Sequence, residues 1–158
     1  MNSEKIGDFT RRISGENRTG LTVIVFDIMS EYFKDAYDAK GKNDSEAFKV
    51  AVKKADACIL NLMQTLDFKY ELANRLYSEY HFCRKELALA VAKSSIEEVK
   101  AVEEIIRPLR EAFEEVAKKD DSEPVMKNAQ NVYAGMTYGK GTLNESSDIT
   151  NGGRGFLV

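Results

Sequence analysis

The sequence predicts an all-α protein, an antiparallel up-down four-helix bundle at 17–119 with a short N-terminal arm (1–16) and an extended C-terminal tail (120–158). Three observations lead there. No glycine falls between Gly41 and Gly135, and Pro108 and Pro124 are the only prolines; so long a stretch with so few breakers is helix territory. Apolar residues within it recur at steps of three and four, the period of one helix face. Capping residues precede several of these stripes. At 158 residues the chain is about one domain long, enough to bury a sizeable core without disulfides.

The first bundle helix is placed from Asn17 to Lys40. Asn17 or Thr19 can cap it, because a short side-chain oxygen satisfies a free backbone N–H. Gly41 can end it in the left-handed conformation. The second helix begins with Asn43 as cap and Glu46 three residues on, a capping-box pattern. Its stripe is Phe48, Val52, Ala55, Ile59, Leu62 and Leu66. The third stripe is Leu72, Leu76, Tyr80, Cys83, Leu87 and Val91. No glycine or proline separates the two. A single helix from Asp44 to Ala92 would be about 73 Å long at 1.5 Å per residue, too long for one small domain. The chain must turn, near Asp67–Lys69. The fourth helix starts at Ser95 with Glu98 completing a capping box, and its stripe is Val99, Val102, Ile106, Leu109, Phe113 and Val116. Pro108 lies within that stretch and lacks a backbone donor, so a bend is expected just before it. In the tail, Val132, Tyr133, Met136 and Tyr138 form an apolar-aromatic cluster, and Phe156-Leu157-Val158 ends the chain. These residues are expected to cover apolar helix faces.

Composition narrows the function classes. The net charge is −3, without the basic excess of a nucleic-acid-binding protein, so no nucleic-acid partner is expected. No apolar run approaches the ~18 residues of a membrane span, and Met1–Arg12 lacks a signal-peptide core. A cytoplasmic protein without membrane insertion is expected, with Cys58 and Cys83 as reduced thiols. No metal and no cofactor is expected. Position 78 is Ser, so His81 completes no Glu-x-x-His pair, and Gly135-x-x-x-Gly139-x-Gly141 lacks the Lys-Ser/Thr ending of a phosphate loop. His81 is the only histidine. With Arg84 and Lys85 nearby it permits a histidine phosphotransfer reading, but Phe82 is bulky where such a docking surface needs small residues.

The first bundle helix says more. Its apolar side chains span roughly 220° of an ideal wheel, against the ~100° stripe of a surface helix. Phe26, Phe33 and Tyr37 cluster along one edge, and Val23 lies apart, toward the polar side. The fourth helix carries a second, shallower stripe that includes Ala101 and Ile105. Shallow faces of small residues beside an aromatic edge can seat a partner helix. The protein's own arms, or a sister chain in a homo-oligomer, could cover the same faces. In the arm, Phe9 and Ile13 are expected to lie back over the aromatic edge.

With these residues in order, the chain resembles the FliS family of flagellar secretion chaperones. The family has a Leu-Tyr-Asp-Gly-like motif early in its first long helix, here Val25-Phe26-Asp27-Ile28. A Ser-Leu-Asp motif closing the next helix is here Thr65-Leu66-Asp67. Ile-Ala-x-Asn-Leu is matched by Leu72-Ala73-Asn74-Arg75-Leu76, an aromatic run by Tyr80-His81-Phe82, and Leu-Arg-x-Ala-Trp by Leu109-Arg110-Glu111-Ala112-Phe113. Phe9 stands where members have an arm tyrosine. The order and spacing run from about Phe9 to Lys119. The departures are Phe26 for tyrosine, Phe113 for tryptophan, Glu79 for leucine, and no glycine pair after Asp67.

The resemblance implies a binding module rather than an enzyme. Its partner would be flagellin, whose terminal segments are disordered in the monomer and become amphipathic helices on assembly. The chaperone would hold the C-terminal segment and prevent early polymerisation. A second surface would meet the flagellar export-gate membrane protein. The partner-binding residues expected on this reading are Phe9, Ile13, Val23, Phe26, Phe33, Tyr37, Ala101 and Ile105.

Overall fold

The computed structural model describes residues 3–126. The tail cluster and the chain end lie outside the described residues. The described part is all-helical: α1 Ser3–Gly15, α2 Arg18–Gly41, α3 Ser45–Gln64, α4 Glu71–Lys93 and α5 Glu97–Ala117. No strand occurs among the described residues.

Most of the N-terminal arm is helix α1. Its apolar residues Ile6, Phe9 and Ile13 fall on one face at steps of three and four. Alone, a helix this short is marginal in water, and packing supplies the rest. Here α1 packs on α2. Lys5 pairs with Glu31, and Arg12 with Asp27 at 2.7 Å, so the two helices run antiparallel.

Of the two residues able to cap α2, Asn17 does so: its side chain accepts from the Gly20 amide at 2.8 Å. Its far end differs. Gly41 is the last helical residue, and the left-handed residue is Asn43 at φ 56°. The α3 cap is therefore Asp44, whose carboxylate accepts from the Ala47 amide at 2.9 Å. Asn43 and Asp44 divide turning and capping between them. The turn into α4 falls at 65–70, where Asp67 accepts from the Lys69 amide at 3.0 Å. At the start of α5 the cap position is Ile96, with no side-chain bond, not Ser95. The Glu98 carboxylate is still held by Lys93 and Ser95, which hold its pKa down at about 2. Pro108 sits inside α5 without ending it. It is exposed, as is Glu104 one turn earlier, so water can satisfy the freed carbonyl there.

Helices α2, α3, α4 and α5 close a ring, each packing on two neighbours. Asp27–Arg110 and Tyr37–Glu103 run in opposite sequence directions, so α2 and α5 are antiparallel. The core holds Phe26, Met29 and Phe33 from α2, Phe48 and Ile59 from α3, Tyr80 and Leu87 from α4, and Val99, Val102 and Ile106 from α5.

The wide apolar arc of α2 now has a cause. One side faces the ring core. The other carries Gly20, Val23, Ile24, Asp27 and Glu31, which share a face at steps of three and four. Asp27 and Glu31 are the residues that pair with α1. Val23 and Ile24 are buried yet stand apart from the core cluster. A helix covered on both sides needs apolar residues on both.

Candidate partner-binding groove

One end of the ring is open. There the first half of α2, the end of α3, the start of α4 and the end of α5 leave a groove of about 770 Å³. Leu62, Leu76 and Tyr80, all buried, are among its lining residues. Leu21, Val25, Leu66, Ala73 and Phe113 add further apolar lining. Phe113 packs on Phe26, ring centroids 5.6 Å apart, which fixes the α5 wall against α2.

The groove stays open because its outermost residues overrun the ring. Leu72, in the first turn of α4, is 62% exposed, and Val116, in the last turn of α5, is 55% exposed. Each continues the stripe of its helix past the point where a neighbour covers it. Tyr70 extends the apolar surface from the α3–α4 turn. Phe68 and Tyr77 meet edge to face nearby in sequence, centroids 5.7 Å apart, both exposed. An apolar surface of this kind gains free energy when a complementary apolar face covers it, roughly 1.5–3 kcal/mol per large side chain fully buried.

The residues predicted for partner binding lie elsewhere. Val23, Phe26 and Phe33 were expected beside a partner path rather than in the interior; all three are buried, Phe26 and Phe33 in the ring core. Tyr37 is half-buried and donates its hydroxyl to Glu103, and burial followed by that carboxylate pushes its pKa well up. Ala101 and Ile105 are half-buried on α5, Ile105 against the core. Phe9 and Ile13 are half-buried on α1. None of the eight lines the groove. The signal that marks it was present in the family motifs: Thr65-Leu66-Asp67 and Leu72, Ala73 and Leu76 all line it.

The polar groups offer little chemistry. His81 is exposed, and its neighbour Arg84 is engaged by Asp56 at 2.7 and 3.1 Å. Burial pushes the Cys58 thiol up to about 11 and the Cys83 thiol up to about 12, so neither ionises near neutral pH. Among the described residues, no group of three or more His, Cys, Asp or Glu is placed to hold a metal ion. No helix there is long and apolar enough to cross a membrane.

Fold and groove together define a class: an all-helical protein with an open apolar face between the ends of four helices. A family model described as flagellar protein FliS matches residues 4–120. The chain belongs to this family of flagellar chaperones. A comparison with curated proteins finds no match.

Proposed function

We propose that the protein is a cytoplasmic export chaperone that binds the C-terminal segment of flagellin and keeps it from polymerising before secretion. The groove is the observation that carries this reading. It suits the apolar face of an amphipathic helix, and flagellin's terminal segments take that form when ordered. Ordering such a segment costs conformational entropy, so binding can be specific and still reversible at the export gate. No bond-making step is needed. Helices α2–α5 serve as a four-helix bundle scaffold at 17–119, and residues 1–16 as a movable cover on α2. Phe9 and Ile13 then act through that cover. The export-gate membrane protein is a second partner, met on another surface.

The test is capture of full-length flagellin and of flagellin lacking its C-terminal segment, by the native protein and by Leu72→Asp. The full-length form should bind the native protein and the truncated form should not. L72D should weaken capture about tenfold or more, with helicity unchanged, since Leu72 is exposed. Equal capture of both flagellins would remove the proposed partner segment.

A further inference from the structure

The segment that follows α5 does not simply leave the protein. It returns to the joint between α1 and α2, more than a hundred residues away in sequence. Asn17 Nδ2 donates to the Asp120 carbonyl at 2.8 Å. Thr19 donates its hydroxyl to the Asp120 carboxylate. The Val125 amide donates to the Glu16 carbonyl at 3.1 Å. The other carboxylate oxygen of Asp120 accepts from the Ser122 amide at 3.1 Å, which shapes the segment's own turn. The segment is also fixed to α5, because the Asp120 amide donates to the Ala117 carbonyl at 3.2 Å.

Both residues between the helices are thus occupied. Asn17 caps α2 with its oxygen and holds Asp120 with its nitrogen. The Glu16 carboxylate lies against Gly20, in the space a Cβ would take, so the joint is closely folded. The body of α1 is held more lightly. None of its residues is buried. Its pairs with α2 include Lys5–Glu31 and Arg12–Asp27, its Phe9 and Ile13 are only half-covered, and partly exposed ion pairs contribute little.

We propose that residues Asp120–Val125 are a strap that locks the α1–α2 joint to the end of α5, so that α1 swings away from α2 only when the strap lets go. Thr19 sits where the two devices meet, since it lines the groove and also holds the strap. Val116 lines the groove one helical turn before Asp120. A chain entering the groove there touches both ends of the lock. That coupling rests on the groove being the binding site; the lock itself does not.

Hydrogen exchange on the full chain, without any partner, tests the lock. The double variant Asn17→Ser, Thr19→Val is the probe. Serine caps a helix as well as asparagine but lacks the amide donor, and valine keeps the shape of threonine without its hydroxyl. Losing two donors should speed exchange of the α1 amides about tenfold while α2 beyond Thr22 keeps its native rates. Asp120→Ala, which removes only the acceptor side chain, should do the same to a lesser degree. Unchanged α1 exchange in both variants would overturn the lock. So would parallel acceleration of α1 and α2, which would mark a lost cap, or α1 amides already exchanging at free-peptide rates in the native chain.

Discussion

The two sides of α2 both carry apolar residues and do different work. On one, Phe26, Met29 and Phe33 are essentially inaccessible within the ring core. On the other, Val23 and Ile24 share a face with Gly20 and with Asp27 and Glu31, the two residues that pair with α1. The first side is held by close packing among four helices. The second is covered by one short helix with no buried residue, paired to α2 through charges. A wide apolar arc therefore says that a helix is covered twice, and leaves open by what and how firmly.

The largest effect should come from the core side. Phe33→Ala should cost about 3–5 kcal/mol in urea unfolding, the range for removing a buried phenylalanine. Phe33→Asp should abolish folding and binding together. The sequence marks Phe33 as a partner-binding residue, yet it is enclosed in the ring core, so loss of binding would follow loss of the fold.

A smaller effect should separate the α1 side from the core. Arg12→Gln breaks the pair with Asp27 while Arg110 still holds that carboxylate at 2.6 Å. The loss should be under about 1 kcal/mol in global stability. Limited proteolysis should nevertheless cut near residues 3–15 sooner, with the ring intact. Cleavage within α3 or α4 at the same rate would place α1 inside the cooperative unit.

Acid should act on the same side. Lys34 first and Lys5 second hold the Glu31 carboxyl below its ordinary 4.5. A depressed carboxylate stabilises the folded form above its unfolded pKa and loses that contribution as pH falls through the folded value. As pH falls below about 4.5, α1 should therefore loosen before the ring does. Amide spectra across that range would show it, and simultaneous loss of all helices would refute it.

The smallest effect is expected at Gly20→Ala. The methyl group would displace the Glu16 carboxyl, the movable end of a side chain, while alanine favours the helix by roughly 0.5–1 kcal/mol. Global stability should change little, and only the α1 joint should exchange faster.

The stripes of α2 to α5 and the Asn17 cap were legible because period and capping chemistry are local. The turn at 65–70 was legible from length alone. Helix α1 was not, since three apolar residues form a helix only when another surface receives them. The Asn43 and Asp44 assignments slipped by one residue because both can cap, and only backbone geometry decides which of them turns. The groove was hidden for a different reason. Leu72 and Val116 belong to the same stripes as core residues, and their exposure depends on where neighbouring helices stop.

The position of the groove is tested most directly by a hydrogen-exchange footprint of a flagellin C-terminal segment on the full chain. Protection should appear at 62–76 and 109–116, the ends of the helices around the open face. Protection confined to Phe33–Tyr37 and Ala101–Ile105, with the groove segments unchanged, would contradict it.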